Sequence, residues 1–422
     1  MQTAVTNPIS PAKGKAKFTE KKYLLTLAFV VSLFMLWGIA MTMGDVLNRH
    51  FQNVLGVSKA QSGLVQFSIF GAYAVMGIPA GLFMKRFGYK KGVLLGLGLY
   101  AIGAFLFLPA ANAESFGFFR FALFVLACGL ATLEAVAHPF VAVLGDEQTS
   151  DQRLNFAQGF NGIGAIIGPL IGGYFILRVG SGPQGGLESV KMLYMVIGAV
   201  ITCIAFAFSF VKVPPLRDAH AVDPDAYEVA ITPQDVKTPK KLFQHRHFVW
   251  AFITQFFNVG AQGATWAFFI NYGVEKMGFT DENASYYFAL SMVMMMLGRF
   301  IGTFLMRFIA PNKLLSTFAL ANILMCVIVA QSWGWPSFLA LLLINFFFSI
   351  MFPTIFSLGL KDLGPNTQQG SSFIVMGVVG GAVFPPLMGL IANHDVAHAY
   401  YLPIICYTVV FLFGYRFYKI KK

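Results

Sequence analysis

The sequence predicts an all-α membrane protein with twelve transmembrane helices in two six-helix halves. Hydrophobic residues make up 57% of the chain and charged residues only 11%, a composition that excludes a soluble globular protein. Apolar runs of about 20 residues, the length that crosses a bilayer, follow one another along the chain. Because these runs are continuously apolar and do not alternate, they predict helices and not barrel strands.

The first half is predicted to cover residues 23–211, after a lysine-rich tail at 1–22. Its first run is longer than the core of a signal peptide, so we expect a retained helix. A segment rich in proline and charge, 212–246, predicts a linker between the halves. The second half then covers 247–418 and ends in a short tail at 419–422. The predicted spans are 23–47, 61–83, 92–111, 117–143, 155–177, 191–211, 247–273, 284–306, 313–332, 335–359, 370–392 and 399–418.

The distribution of the 30 Lys and Arg residues predicts how the helices are oriented. Most of them fall in the tails, the linker and the short connections on the same side, so the positive-inside rule predicts that both termini are cytoplasmic. The basic residues are dispersed, which argues against a nucleic-acid partner and favours contact with lipid headgroups of the bilayer.

The chain carries no signature of an enzyme or of a cofactor site. It has no phosphate-binding loop, so we do not expect ATP to drive it, and no nucleophile–base motif stands out. The four cysteines fall inside apolar runs without metal-ligand spacing, so they predict neither a metal site nor a disulfide framework. We expect no catalytic residue, no metal and no cofactor.

Three short segments of the first half recur in the same order in the second half. Parallel six-helix repeats of this kind place a substrate site near the bilayer midplane, between the halves, and they indicate alternating access. Arg86 and Arg307 occupy the same place in one repeated segment, so we expect both to have a structural or gating role. The matched segments are 81–87 with 302–308, 139–145 with 353–359, and 169–172 with 386–389.

The acidic residues inside predicted spans are Asp45 and Glu134, and Arg299 lies in the middle of another span. A charge at bilayer depth costs about 2.5–3.5 kcal/mol even on lenient insertion scales, so each needs a reason. The two carboxylates indicate proton or cation handling. Glu134 lies well inside its span and is a candidate proton carrier, with a structural role as the alternative. For Asp45 the alternative is a boundary carboxylate near the membrane surface.

Arg299 lies in the middle of the eighth span and must pair with carbonyl groups or with a carboxylate. The second half has no acidic residue in the middle of a span, so an ionic partner would come from the first half. Arg299 is therefore a candidate latch between the halves, and a local structural role is the alternative.

Uncharged polar residues share helix faces with the two carboxylates. Thr42 lies one turn before Asp45 with Trp37 nearby, and His138 follows Glu134 by one turn. We expect Trp37 and Thr42 to contribute to substrate binding. His138 is a candidate hydrogen-bond partner for a sugar, with packing and proton transfer as alternatives.

Amide side chains form two further stripes. Gln158 and Asn161 share a face of the fifth span, and Asn258 and Gln262 share a face of the seventh span with Trp266. Amides donate and accept hydrogen bonds and an indole stacks on a sugar ring, so these stripes suit a polyhydroxylated ligand. Hydrogen bonding between helices would use the same residue types.

With these residues the chain resembles the major facilitator superfamily, and within it the bacterial L-fucose:proton symporter family of sugar permeases. The resemblance covers nearly all of the transmembrane sequence and leaves out the termini and the linker. The segments that carry it are Leu36-Trp37 with Asp45, Leu133-Glu134-Ala135, Pro139-Phe140-Val141, Arg-Leu-Asn-Phe-Ala-Gln-Gly-Phe-Asn at 153–161, Val-Gly-Ala-Gln at 259–262, Gly298-Arg299-Phe300, Pro-Thr-Ile-Phe-Ser-Leu-Gly at 353–359 and Gly-Ser-Ser-Phe-Ile-Val-Met at 370–376.

The resemblance implies that Asp45 and Glu134 are the embedded carboxylates of proton-coupled transport, and that Gln158, Asn161 and Gln262 lie on polar cavity positions. The chain departs from the fucose permease pattern at a few cavity positions. Met41-Thr42 replace an Asn-Asn pair, His138 replaces an Asn, and Phe352 replaces a Tyr. These departures make a related hexose or an amino sugar plausible as the substrate beside L-fucose itself.

We therefore expect a monomeric inner-membrane protein that transports a monosaccharide together with a proton by rocking its two halves. Protonated Glu134, with or without Asp45, would neutralise the cavity and allow the sugar to bind. The nearest alternative is a sodium-coupled or uncoupled sugar carrier. A transporter-like receptor that binds sugar without moving it is the alternative from another class.

Overall fold

The computed structural model describes residues 18–145, 149–179, 186–211, 242–363 and 367–420. Residues 1–17 of the predicted tail at 1–22, and residues 212–241 of the predicted linker at 212–246, lie outside these residues. The described residues form helices and connections, and no strand occurs among them.

Six long helices make up the first half. Two of them, α2 and α3, follow each other almost directly. The chain changes direction near the start of α3 at Gly88, whose φ of 81° glycine adopts at little cost. The bounds are α1 (Leu24–Leu55), α2 (Lys59–Met84), α3 (Arg86–Asn112), α4 (Phe116–Val143), α5 (Ser150–Gly172) and α6 (Gly186–Phe210).

Six further helices make up the second half, and two of them are interrupted. α10 breaks at Ser349 and Ile350, and α11 contains a turn of 3-10 helix at Gly377–Val379. The bounds are α7 (Arg246–Met277), α8 (Asp281–Leu305), α9 (Pro311–Ala330), α10 (Trp335–Phe348 and Met351–Gly359), α11 (Thr367–Met376 and Gly380–Ala392) and α12 (His398–Phe417).

Every predicted span corresponds to one of these helices, and the predicted twelve-helix fold class is confirmed. Eleven helices in the described part of the chain are long and apolar enough to cross a membrane by themselves. The twelfth, α7, has 32 residues but carries the amide stripe predicted above, which lowers its hydrophobicity. α1 is longer than predicted and continues for ten residues beyond Asp45.

Close backbone contacts hold equivalent helix pairs together in the two halves. A Cβ atom on Gly38 of α1 would lie 2.2 Å from the carbonyl oxygen of Asn161 in α5, and one on Gly380 of α11 would lie 1.8 Å from the carbonyl oxygen of Phe256 in α7. Small residues allow such approach between membrane helices, where dispersion and not the hydrophobic effect drives packing. These contacts fix α1 against α5 and α7 against α11, which carry most of the predicted site residues.

The halves meet through α1 with α7, α2 with α11, and α5 with α8. We call the side of the bundle at which α1 begins and α12 ends the terminal side, and the other the opposite side. Three ion pairs join the halves on the opposite side, and we refer to them as the interhalf ion pairs. They are Arg49–Asp281 at 2.7 Å, Lys59–Glu275 at 2.7 Å and Arg178–Glu282 at 3.3 Å.

Hydrogen bonds add to the contact on the opposite side. The Asn48 side chain donates to the carbonyl oxygen of Ala267 at 2.5 Å, and the Ser285 hydroxyl donates to the carbonyl oxygen of Pro169 at 2.7 Å. In the described residues, no hydrogen bond or ion pair joins the halves on the terminal side. The hydrogen bonds and ion pairs that join the halves among the described residues therefore lie on the opposite side, which is closed.

Candidate functional site

Half-buried side chains from both halves line the interface at mid-depth, and we call this region the central cleft. Five helices contribute to it: α1, α2, α4 and α5 from the first half, and α7 from the second, with α10 at its edge. The residues are Trp37, Met41, Tyr73, Glu134, His138, Gln158, Asn161, Gln262 and Phe352. The described residues contain no group of three or more His, Cys, Asp or Glu that could hold a metal ion.

Glu134 of α4 and an aromatic pair, Trp37 of α1 and Tyr73 of α2, are half-buried in the central cleft. The indole N–H of Trp37 donates a hydrogen bond to the hydroxyl oxygen of Tyr73. The same Tyr73 hydroxyl lies 3.8 Å from the sulfur of Met41. Among the described residues, Glu134 has no cationic partner within ion-pair distance, so in its ionised form it is an uncompensated charge that protonation neutralises.

His138 connects Glu134 to the amide of Gln158. Its Nδ1 lies 2.9 Å from the backbone carbonyl oxygen of Glu134, one turn earlier, and a carbonyl can only accept, so Nδ1 carries a hydrogen. Its Nε2 lies 2.9 Å from Nε2 of Gln158. With this amide orientation Gln158 donates to a neutral imidazole, and the amide oxygen of Gln158 keeps its acceptor capacity for a ligand.

The other amide side chains, those of Asn161, Gln262 and Asn258, differ in their burial and in their hydrogen bonds. The Asn161 side chain donates to the carbonyl oxygen of Phe34 at 3.2 Å and stays half-buried. Gln262 is half-buried on α7, whereas Asn258, one turn earlier, is fully buried and neither its Oδ1 nor its Nδ2 has a partner. Gln158, Asn161 and Gln262 are thus half-buried, whereas Asn258 is fully buried in this conformation.

An apolar cluster lies beside the polar residues and joins the halves. Phe70 of α2, Val259 of α7 and Ala382 of α11 form its buried part, and Met41 and Phe352 pack against it. Met41 and Phe352 are two of the positions at which the sequence departs from the fucose permease pattern. They therefore form part of one apolar surface, which we call the central apolar cluster.

Asp45 lies deeper in the first half than Glu134. It is 3% exposed, and Oδ1 accepts a hydrogen bond of 2.5 Å from the side-chain amide of Gln66 on α2. It lies on the part of α1 that the closed opposite side covers, whereas Glu134 is half-buried at the central cleft. The two carboxylates are therefore in different surroundings within one conformation.

A family model described as Major Facilitator Superfamily matches residues 25–385. This chain belongs to the Major Facilitator Superfamily. The resemblance predicted from the motifs is confirmed, and membership of this superfamily makes the chain a transporter and not an enzyme.

Relatives of this superfamily member include proteins named for sugar transport. The chain is 38% identical to an L-fucose-proton symporter of Escherichia coli over 98% of this chain and 97% of that protein. It is 34% identical to a glucose/galactose transporter of Brucella abortus over 94% and 95% of the two chains. The crystal structure of the superfamily transporter FucP in the outward conformation matches 95% of this chain and 100% of that chain, with 37% identity and a TM-score of 0.66.

Two predicted binding residues are held inside their own half in this superfamily member. Trp266 is 7% exposed, and its indole N–H donates to Oδ1 of Asn345 at 2.8 Å, so its ring packs between helices and does not line the central cleft. The Thr42 hydroxyl donates to the carbonyl oxygen of Gly38 at 3.0 Å, and the residue is 1% exposed against α5. The alternative of hydrogen bonding between helices therefore describes Trp266, whereas the Thr42 hydrogen bond lies within α1.

The predicted latch at Arg299 is not formed. Arg299 makes no ion pair among the described residues, and its buried Nε has no hydrogen-bond partner. The interhalf ion pairs join the halves instead. Arg86 and Arg307 are exposed and lie over the rings of Phe87 and Phe304.

Sequence reasoning missed Tyr73, Gln66 and the interhalf ion pairs. Tyr73 stands alone in an apolar run, where a tyrosine carries no charge and gives no spacing signal. Gln66, near the start of α2, is likewise uncharged and gives no spacing signal. The charged residues of the interhalf ion pairs lie at helix ends, where sequence alone does not separate them from residues facing water.

Proposed function

We propose that this chain is a proton-coupled symporter of a monosaccharide that works by alternating access. The observation that carries the proposal is the half-buried Glu134 carboxyl in the central cleft, without a cationic partner among the described residues and beside the amides of Gln158, Asn161 and Gln262. A carboxyl in this place changes between charged and neutral forms, and the amides suit sugar hydroxyls. The relatives named for fucose–proton symport and for glucose and galactose transport support the same substrate class.

The finer parts of the proposal concern topology. We infer that the protein lies in the inner membrane as a monomer, with the terminal side in the cytoplasm, as the distribution of basic residues predicts. Residues 23–211 and 247–418 would move as two units joined by the linker at 212–246. On this assignment the interhalf ion pairs lie on the outer side of the membrane.

Glu134 and Asp45 are the proposed proton-coupling residues. Protonation of Glu134 removes an unpaired charge from the central cleft and lets a neutral sugar bind without facing that charge. Asp45 would exchange its proton when the opposite side opens, because it is buried in the conformation described here. Release of sugar and proton toward the terminal side completes the cycle.

The experiment is uptake by purified protein in proteoliposomes with a panel of labelled sugars that includes L-fucose, D-galactose and D-glucose. We expect an inward proton gradient to drive accumulation of at least one of them and a protonophore to abolish it. Accumulation driven equally well by a sodium gradient at constant pH would make the protein a sodium-coupled carrier. Counterflow without gradient-driven accumulation would make it an uncoupled carrier, and binding without counterflow would make it a receptor.

A further inference from the structure

The side chains of Asp45 on α1 and Gln66 on α2 form a buried pair in the first half. Nε2 of Gln66 donates to Oδ1 of Asp45 at 2.5 Å, and the two residues are 2% and 3% exposed. An ionised carboxylate that is taken out of water is costly unless it is paired or hydrogen-bonded. The Gln66 amide therefore supplies to Asp45 the kind of hydrogen bond that water supplies to an exposed carboxylate.

No charged side chain takes the place of this amide. Among the described residues, Asp45 makes no ion pair. The charged residue one turn further along α1, Arg49, is paired with Asp281 of α8. Lys59 of α2 is paired with Glu275 of α7. Both nearby cations of α1 and α2 are thus engaged by acidic residues of the other half.

Titratable side chains of α1, α3, α4 and α6 are engaged elsewhere or stay neutral. Glu134 and His138 of α4 are half-buried at the central cleft. Nε2 of His50 on α1 lies 3.2 Å from a backbone carbonyl oxygen of α6. Tyr100 of α3 and Tyr194 of α6 are buried phenols, which are uncharged near neutral pH.

The parts of α5 and α7 that face α1 bring no titratable group. α5 approaches α1 closely at Asn161, and α7 accepts a hydrogen bond from α1 at Ala267. Residues 161–172 and 259–271 contain no Asp, Glu, His, Lys, Arg, Cys or Tyr. The balance between the ionised and protonated forms of this carboxyl therefore depends strongly on its amide partner.

A glutamine amide suits both forms of the carboxyl. Its N–H donates to an ionised carboxylate, and after rotation of the amide its oxygen accepts from the O–H of a protonated one. The first bond is charge-assisted and about twice as strong as the second, which joins neutral groups. The pair therefore favours the ionised form, and the orientation with Nε2 of Gln66 toward Oδ1 of Asp45 is the one that this form requires.

We propose that Gln66 is the positioning residue of Asp45: it holds the ionised carboxylate while the opposite side is closed, and so allows Asp45 to release its proton. The inference rests on the proposed function, in which Asp45 is a proton-coupling residue. Without this donor, a carboxyl buried as deeply as Asp45 keeps its proton, because its charged form has no partner.

The pair lies next to contacts that close the opposite side. One turn beyond Asp45, Asn48 donates to a carbonyl oxygen of α7 at 2.5 Å. One turn before Gln66, Ser62 accepts from Gln52 of α1 at 2.8 Å, and Gln52 in turn accepts from an amide of α7 at 2.6 Å. Water therefore reaches the pair when this side opens, and Asp45 then takes up a proton.

The test is an infrared titration of the full-length protein in lipid bilayers, which follows the C=O stretching band of protonated carboxyl groups as pH is changed. The band that Asp45→Asn removes from the wild-type spectrum belongs to Asp45. Gln66→Met removes the amide and keeps an unbranched side chain. We expect the pH at which the Asp45 band is half-maximal to move up by about one unit, a tenfold change in proton affinity.

Two further variants separate this role from a structural one. Ser68→Ala removes a buried hydrogen bond within the same helix, from the Ser68 hydroxyl to the carbonyl oxygen of Leu64 at 3.1 Å, and should leave the midpoint unchanged. Gln66→Asn keeps the amide on a side chain shorter by one methylene, and should move the midpoint up by less than Gln66→Met. A merely structural Gln66 would lower the folded yield without moving the midpoint.

The remaining outcomes are also decisive. A midpoint that is unchanged or moves down in Gln66→Met overturns the inference, and so does an equal upward shift in Ser68→Ala. If Gln66→Met does not fold, Gln66→Asn decides, and an unchanged midpoint there has the same meaning. A wild-type spectrum without a titrating Asp45 band overturns it as well. The titration needs no sugar movement, so failure of the proposed symport is detected separately, by the accumulation experiment.

Discussion

At the residue scale, the polar groups of the central cleft differ in whether the protein already satisfies them. The side-chain amide of Gln158 donates to His138, and that of Asn161 donates to the carbonyl oxygen of Phe34. Gln262 is half-buried and makes no hydrogen bond to the described protein residues. A sugar hydroxyl that loses its partner in a buried site leaves a polar group unpaired, which costs about 1–3 kcal/mol. The effect of each amide on binding is therefore measurable.

We predict that Gln262→Ala weakens sugar affinity by about 1–3 kcal/mol without loss of folded protein. Gln158→Ala should weaken it by a similar amount and also free Nε2 of His138. Sugar binding to purified protein by calorimetry measures both. Gln331→Ala is the matched control, since Gln331 is exposed and bonds to the Tyr401 hydroxyl. Unchanged affinity together with reduced folded yield would assign these amides to helix packing.

The second residue-scale prediction concerns substrate choice. Met41 and Phe352 belong to the central apolar cluster. The Thr42 hydroxyl donates to the carbonyl oxygen of Gly38, and the residue is 1% exposed. Among the positions that depart from the fucose permease pattern, Met41 and Phe352 are therefore the ones that we expect a bound sugar to contact. Specificity for hydroxyls is set mainly by polar groups left unpaired when the wrong sugar binds. We expect Met41→Asn with Phe352→Tyr to shift preference toward L-fucose in competition with unlabelled sugars.

Phe352→Tyr alone is the control, and it should shift preference less than the double variant. Wild-type protein that already prefers L-fucose over every competitor by a factor of ten, about 1.4 kcal/mol, would contradict this account of the departures.

How much of the site could be predicted depends on the kind of signal each residue gives. Glu134 could be predicted because a carboxylate deep in an apolar span has few structural explanations. Tyr73 could not, because an isolated tyrosine in an apolar run is chemically unremarkable until its neighbours are known. Trp266 was misplaced because helical spacing gives the face of a residue but not whether that face meets the cleft or another helix of the same half.

At the element scale, the ends of α1 and α8 hold the opposite side closed. Asp281 at the start of α8 accepts from Arg49 Nε at 2.7 Å and from Asn53 Nδ2 at 2.7 Å, so one carboxylate binds two donors of the other half. Both ion-pair partners are partly exposed, and a pair of this kind is worth at most about 1 kcal/mol.

We predict that Asp281→Asn shifts the population toward the conformation that is open on the opposite side, by about fivefold for ~1 kcal/mol. Spin labels at Glu114 and Trp333, both exposed on this side and in different halves, report the distance between the halves. Glu188→Gln is the control, because it breaks the Lys191–Glu188 pair within one half. An unchanged distance distribution in Asp281→Asn would mean that the apolar contacts alone set this equilibrium.

A second element-scale prediction concerns the connection between α11 and α12. Partial burial raises the pKa of Asp395, but hydrogen bonds from Lys276 and from the backbone N–H groups of Ala397 and His398 outweigh it, so the pKa lies below its ordinary value. The stabilisation is therefore present above the unfolded pKa of about 3.9 and is lost as pH falls through the folded pKa.

Asp395→Asn should lower the free energy of unfolding by up to about 1 kcal/mol at neutral pH, since the site is partly exposed. Thermal unfolding in detergent at pH 7 and near pH 3 checks this. The difference between wild type and variant should narrow at the lower pH, and a difference that grows on acidification would contradict the sign.

At the scale of the whole molecule, the apolar spans determine the fold, and the contacts between the halves determine which side of the interface is closed. The spans, their number and the repeat between the halves could be predicted from composition and spacing. The closed opposite side could not, because it depends on pairs such as Lys59–Glu275, whose residues are far apart in sequence and lie near helix ends. The lengths of helices such as α1 were underestimated because polar residues at helix ends interrupt the apolar pattern.

The whole-molecule account requires that protonation of Glu134 be coupled to movement of the halves with sugar bound. Glu134→Gln is close in size and mimics the neutral carboxyl at every pH. A carrier with this change can still exchange sugar for sugar, because exchange needs no net proton movement. It should no longer convert a proton gradient into a sugar gradient.

The measurement that tests this claim most directly compares wild type with Glu134→Gln in proteoliposomes made with the same amount of folded protein. Labelled sugar accumulation under an inward proton gradient and counterflow without a gradient are measured side by side. We predict that Glu134→Gln retains counterflow and loses gradient-driven accumulation. Full, pH-dependent accumulation by Glu134→Gln would contradict the assignment of proton coupling to this residue.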